Sequence, residues 1–363
     1  MSRKLITIST IMTLMSTSVI ADVPNVAADI APIHSLVSRV MDGVGAPKLI
    51  VQSGASPHGY RLRPSEAKAL QDADHVFWMG EELTPWLDSA IGTLASKASV
   101  TTLLDQQGVI LHDFREGALF EAHDHSAHGD DDHDDHDDHD DHKDHDDHDD
   151  HDDHDDHKDH DDHDDHKDHD DHDDHKDHDD HDDHKDHDDH DDHGSHDPHA
   201  WLSPENAKLW LNIIASKLSV SDPENAATYF MNAAAGQAEI EAMIAEVKAT
   251  LKPVQGGKFV VFHDAYQYFE NDFDFYASGA ISLGDSSDPS PARIEKVQKR
   301  IRDEGIQCVL AEPQFKKGLV ATVMEGSDAT ASVIDPLGAQ LETGPKLYTR
   351  LIKNMAKTLR NCL

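Results

Sequence analysis

Asp222-Pro223-Glu224-Asn225-Ala226-Ala227-Thr228-Tyr229-Phe230-Met231-Asn232-Ala233-Ala234-Ala235-Gly236-Gln237-Ala238-Glu239-Ile240-Glu241-Ala242-Met243-Ile244-Ala245-Glu246-Val247-Lys248-Ala249-Thr250-Leu251 has no proline after Pro223 and one glycine, Gly236. Alanine and glutamate dominate it, and both lose little on entering a helix. Pro223 suits a helix start, and Pro253 with Gly256-Gly257 marks its end. About 29 residues of helix span roughly 43 Å, more than one small lobe requires. The stretch is therefore expected to tie two lobes together.

Short apolar runs alternate with amphipathic segments on both sides of it. Before it, strands are expected at Val23–Ala27, Lys48–Gln52, His75–Met79 and Val100–Leu103. Helices are expected at Ile33–Met41, Ser65–Gln71, Pro85–Ala95 and Pro204–Leu218. After it, strands are expected at Phe259–Phe262, Phe273–Ala277, Cys308–Ala311 and Ala331–Ile334, with helices at Ala292–Glu304 and Lys346–Arg360. Such alternation implies parallel sheets covered on both faces. The expected fold is α/β, with two similar parallel-sheet lobes, one long rigid helix and a site in the cleft between the lobes. The boundaries read as an N-terminal lobe over 22–218, an interlobe helix over 219–252 and a C-terminal lobe over 253–363.

The N-terminal lobe is expected to contain a disordered metal loop over residues 123–197. His123 to Asp197 holds 25 histidines, 40 aspartates and 5 lysines, mostly as His-Asp-Asp repeats. It contains no Val, Ile, Leu, Met or aromatic residue with which to bury a core, so it is expected to stay solvated and disordered. Imidazole suits zinc, copper and nickel, and carboxylate can complete a zinc shell. A solvating acidic linker would explain the aspartates but not the histidines; a labile metal-collecting loop explains both. The tract supplies −35 of the formal net charge of −42, leaving −7 for the rest. No basic patch suggests nucleic acid.

Residues 1–21 read as a secretory signal. Arg3 and Lys4 form the positive end, an apolar stretch follows, and Val19-Ile20-Ala21 supplies the small residues of a cleavage site. The two cysteines of such an exported chain, Cys308 and Cys362, are expected to pair.

Outside the tract, four residues stand out as metal ligands. His58 lies in a loop past a strand and His199 just past the tract; His263 and Asp335 each follow an expected strand. Ligands in open parallel sheets bind beyond the carboxyl ends of strands. Three imidazoles and one carboxylate suit four-coordinate zinc. Glu312 and Asp264 are candidate partners for the second ring nitrogen of a bound histidine. His34, His75 and His112 read as packing or surface residues, and the four tryptophans as core or cleft wall. A zinc hydrolase is disfavoured, since there is no His-Glu-x-x-His and four protein ligands would close the open position catalysis needs.

The motifs that carry a family resemblance are Gly54-Ala55-Ser56-Pro57-His58 with Leu62-Arg63-Pro64-Ser65, and Asp197-Pro198-His199-Ala200-Trp201-Leu202-Ser203-Pro204. Two more are Phe262-His263-Asp264-Ala265-Tyr266-Gln267-Tyr268-Phe269 and Asp335-Pro336-Leu337-Gly338. The chain resembles the substrate-binding proteins of bacterial ABC transporters for zinc and manganese, and is most similar to the zinc-uptake ZnuA type. That resemblance implies two lobes joined by a rigid helix, with metal ligands at His58, His199, His263 and Asp335. It also implies that the histidine-rich insertion is a zinc-family trait. Members similar to manganese carriers place Glu where this chain has His263, and nitrogen there favours zinc. Some zinc members carry Glu just before the first ligand; Pro57 stands there instead, which leaves Asp335 or a water as the fourth ligand. The implied role is a monomeric periplasmic protein, not an enzyme, that captures Zn(II) and delivers it to a membrane permease with its cytoplasmic ATPase. The alternative is a periplasmic zinc buffer or metallochaperone without a transporter.

Overall fold

A computed structural model describes residues 23–115, 120, 196–282, 289–314 and 317–363. The expected signal segment and all of the tract before His196 lie outside them. The first sheet contains β1 (Val26–Ala28), β2 (Lys48–Leu49), β3 (His75–Trp78) and β4 (Ser99–Thr102), all parallel in the order β2-β1-β3-β4. Its helices α1 (Ala31–Val40), α2 (Pro64–Gln71) and α3 (Pro85–Leu94) each carry proline at the first or second position, where no amide hydrogen is needed. β2 is shorter than expected, yet the chain still follows β1 for two residues, with Ile50 and Val51 N–H donating to Ala28 and Asp29 carbonyls.

The link between the lobes starts with α4 (Pro204–Ser221), whose Ser203 Oγ accepts from Asn206 N–H, and a 3-10 turn over Pro223–Asn225. The long helix α5 then runs Ala226–Leu251. Tyr229, Ala233, Gly236, Ile240, Met243, Val247 and Leu251 form its buried stripe, at the three- and four-residue spacing of one helix face. Gly236 sits at a close approach: a Cβ there would lie 2.9 Å from Leu211 Cδ1 of α4 and 3.1 Å from Arg39 Cγ of α1, so those side chains would have to shift.

The second sheet contains β5 (Phe259–His263), β6 (Ala280–Ser282), β7 (Cys308–Ala311) and β8 (Thr330–Val333), again parallel, in the order β6-β5-β7-β8. Both sheets thus share one topology, with a switch point between the two central strands. In the first sheet that point is filled by Asp29. This fully buried carboxylate accepts from Ile30 and Met79 N–H at 2.7 Å each. Burial, opposed by those bonds, pushes its carboxyl up to about 7.

Three elements differ from the sequence expectation. Phe273–Ala277 is no strand: Phe273 ends α6 (Gln267–Phe273), and Asp274, with φ +50°, turns the chain toward β6. The alternating Phe273, Phe275 and Ala277 are buried as expected, but the strand itself forms at Ala280. Helix α8 (Lys317–Met324) was not expected, since its β-branched residues and Gly318 argue against helix. The remaining helices, α7 (Pro291–Glu304) and α9 (Leu347–Cys362), lie where expected. α9 buries Leu347, Tyr348, Leu351, Ile352, Met355, Ala356 and Leu359, and packs on α5 and α1.

Cys308 and Cys362 form the expected disulfide, with Cα atoms 5.6 Å apart, fastening the end of α9 to the start of β7. Closing this 54-residue span stabilises the fold by about 4 kcal/mol in the chain-entropy account. Cys362→Ser is expected to lose a comparable amount in urea unfolding, with no further loss on adding reductant. An unchanged unfolding midpoint would show that the bond is dispensable.

Candidate metal centre

The cleft histidines are aimed by carboxylates. His263 is the last residue of β5, and Glu312 directly follows β7, the neighbouring central strand. This places them at the switch point of the second sheet, where the diverging crossovers leave a crevice. His263 Nδ1 lies 2.7 Å from Glu312 Oε1, and both side chains are buried. His199 sits before the 3-10 turn Ala200–Leu202. Asp197 Oδ1 accepts from its backbone N–H at 3.0 Å and lies 2.6 Å from its Nδ1. Asp197 is itself fixed, its N–H donating to the His112 carbonyl and its own carbonyl accepting from Tyr268 hydroxyl at 2.7 Å.

With each Nδ1 hydrogen directed at a carboxylate, each Nε2 is turned into the cleft. The two Nε2 atoms face one another at 3.2 Å. Two lone pairs at this distance repel unless a cation or a shared proton lies between them. Tetrahedral zinc with bonds of about 2.0–2.1 Å sets its ligand nitrogens roughly 3.3 Å apart, so the observed spacing fits.

His58 completes the group from the loop between β2 and α2. That loop is stiffened by Trp86, whose Nε1–H donates to the Pro57 carbonyl at 2.7 Å, and by Tyr60 hydroxyl donating to Glu66 at 2.8 Å. The His58 ring centre lies 5.5 Å from that of His199 and 6.2 Å from that of His263. One ring nitrogen from each of His58, His199 and His263 lies within 4.8 Å of the others. Among the described residues this is the group able to hold a metal ion.

Asp335 is not in that group. It stands two residues past β8, and its Oδ1 accepts from Leu337 and Gly338 N–H at 3.1 and 2.8 Å. Burial raises the Tyr266 phenol well above its usual range, and Glu312 and Asp335 add to the shift. Trp201 packs on the His199 ring and donates its Nε1–H to the Pro336 carbonyl at 2.8 Å, joining the His199 segment to the loop that carries Asp335.

Of the two expected ring partners, Glu312 takes the role and Asp264 does not. Asp264 is engaged by Arg115, whose Nε lies 3.0 and 3.1 Å from its two oxygens, while Arg115 Nη1 donates to Glu270 at 2.6 Å. Burial pushes both carboxyls up, against the pull of Arg115. Burial also works against the charge on Arg115, but Glu270 and Asp264 outweigh it and hold the guanidinium above its usual range. The partner that sequence reasoning missed is Asp197, signalled by an Asp two residues before the ligand, the spacing of an Asx turn. Arg115 had no such signal, lying 149 residues from Asp264. His34 bonds the Pro47 carbonyl, His75 the Ser221 hydroxyl, and His112 packs on Tyr268, all away from the cleft group.

The family model described as "Zinc-uptake complex component A periplasmic", ZnuA, matches residues 26–362. The chain belongs to the ZnuA family. It is 45% identical over 338 residues to the high-affinity zinc uptake system protein ZnuA of Brucella abortus, covering 93% of this chain and 91% of that protein. To the ZnuA of Paracoccus denitrificans it is 41% identical over 344 residues, covering 94% and 93%. A crystal structure of a ZnuA shares the fold at 19% identity with a TM-score of 0.64, covering 94% of this chain and 99% of that one. As a ZnuA-family member the chain is a zinc-binding transport component and not an enzyme.

Losing an outer partner of a metal-bound histidine costs about 10–100-fold in affinity. Asp197→Asn and Glu312→Gln are each expected to weaken zinc binding by that factor, read by competition with a chromophoric chelator. Parent-like affinity in either variant would show that its carboxylate does not orient the ring.

Proposed function

We propose that this chain captures Zn(II) in the cleft through His58, His199 and His263, with Asp335 or a water as the fourth ligand, and delivers it to an ABC permease. The observation that carries the reading is the three-imidazole group, with two rings pre-aimed by buried carboxylates. A ligand set built from neutral nitrogen favours zinc over harder cations. For Asp335 to serve as the fourth ligand, its Oδ1 would leave the Leu337 and Gly338 amides it now accepts from. Four protein donors hold a transported ion without an open reaction position. The protein acts as a periplasmic monomer once residues 1–21 are removed. Residues 22–218 and 253–363 form its lobes, joined through 219–252.

The tract over 123–197 serves as an auxiliary collector. Its imidazoles bind zinc loosely and raise its local concentration, while its aspartates attract the cation. A zinc buffer without a transporter would use the tract equally well, but has no need of a separate three-imidazole site.

The test is calorimetric zinc titration of the intact protein and of a variant lacking residues 123–196. One tight site is expected in both, with many weak sites only in the intact chain. His263→Ala should weaken the tight site by more than about 100-fold, beyond the range for an outer partner. His263→Glu should shift preference toward manganese. Tight binding that disappears with the tract, or survives His263→Ala, would overturn the proposal.

A further inference from the structure

Asp264 directly follows the ligand position His263 and is 6% exposed. A carboxylate one residue from a ligand is an oxygen donor on the segment that carries the site, and oxygen suits harder cations. In this structure it is held elsewhere. Arg115 Nε contacts both Asp264 oxygens, Nη2 contacts Oδ1 as well, and Nη1 and Nη2 both reach Glu270. A guanidinium fork holds two carboxylates in a fixed plane, which an ammonium cannot match. Phe120 covers its other side, with its ring centre 3.7 Å from the guanidinium carbon.

Arg115 reaches this place from the segment after β4. Asp113 pairs with His196 in an antiparallel bridge, and His112 N–H donates to the Tyr268 hydroxyl at 3.1 Å. The segment that presents Arg115 is therefore bonded both to His196, next to Asp197, and to α6 of the second lobe. Its position is built by the fold and not by a surface pairing.

We infer that Arg115 is a specificity-determining positioning residue, which keeps the cleft nitrogen-dominated by withholding the Asp264 carboxylate from the metal. The inference rests on the three-histidine reading of the site. Loss of Arg115 frees Asp264 to turn toward the ion, adding oxygen donors and raising the coordination number. A purely structural ion pair would lower stability on removal but leave metal preference alone.

The experiment uses the full chain with one equivalent of metal, comparing the parent with Arg115→Gln, Arg115→Lys, Asp264→Asn and the Arg115→Gln/Asp264→Asn double variant. The readouts are the ratio of Mn(II) to Zn(II) affinity and the visible spectrum of the Co(II) form, which is intense for tetrahedral and weak for higher coordination. Arg115→Gln is expected to raise the ratio by about tenfold, the scale of outer-partner effects, and to weaken the cobalt bands. Arg115→Lys should shift both in the same direction by less, and retains the buried charge should the Gln variant fail to fold. The double variant should return to the parent ratio, and Asp264→Asn alone should match the parent. An unchanged ratio in whichever Arg115 variants fold, a shift that persists in the double variant, or a shift in Asp264→Asn alone overturns the inference. Failure of the histidine reading gives a separate result, tight zinc binding by His263→Ala with Arg115 intact.

Discussion

Two imidazole nitrogens held 3.2 Å apart in a buried cleft form an arrangement that repels itself without a cation or proton between them. The surrounding structure exists to impose it. Asp197 and Glu312 take the opposite ring nitrogens, so neither ring can turn its Nε2 away without abandoning a buried charge-assisted bond. Both carboxylates are in turn fixed by backbone position: one follows a central strand, the other is wired to His112 and Tyr268.

The long helix supplies the rigidity this strain requires. A flexible tether would let the histidines of the two sides drift apart. α5 instead buries one continuous stripe, and at Gly236 its backbone packs closely against the Leu211 and Arg39 side chains of α4 and α1. α9 packs back on α5 and α1, and the Cys308–Cys362 bond ties its end to β7, the strand that leads into Glu312. Hydrogen bonds from Trp201 to Pro336 and from Ser35 to Gly344 cross between segments far apart in sequence. The cleft is therefore a fixed gap between braced bodies.

Much of this was legible in the sequence because it is local. Strand and helix periods, prolines at helix starts and the Ala/Glu-rich run of α5 are each written within a few residues. The grouping of the three histidines was legible because a strand end, a loop and the segment just past the tract carry them in recognisable surroundings. The misreadings have physical causes as well. Phe273–Ala277 alternates like a strand, but its residues are buried across a helix end and a left-handed Asp274. Asp264 looked like a ring partner because it adjoins His263, yet Arg115 from far along the chain claims it.

The central claim is that one zinc ion is held by three imidazoles from distant parts of the chain. X-ray absorption at the zinc edge, on full-length protein carrying one equivalent of zinc, tests it directly. The account predicts three imidazole nitrogens and one oxygen at about 2.0–2.1 Å. A shell dominated by oxygen, or one with fewer than three imidazoles, would contradict it.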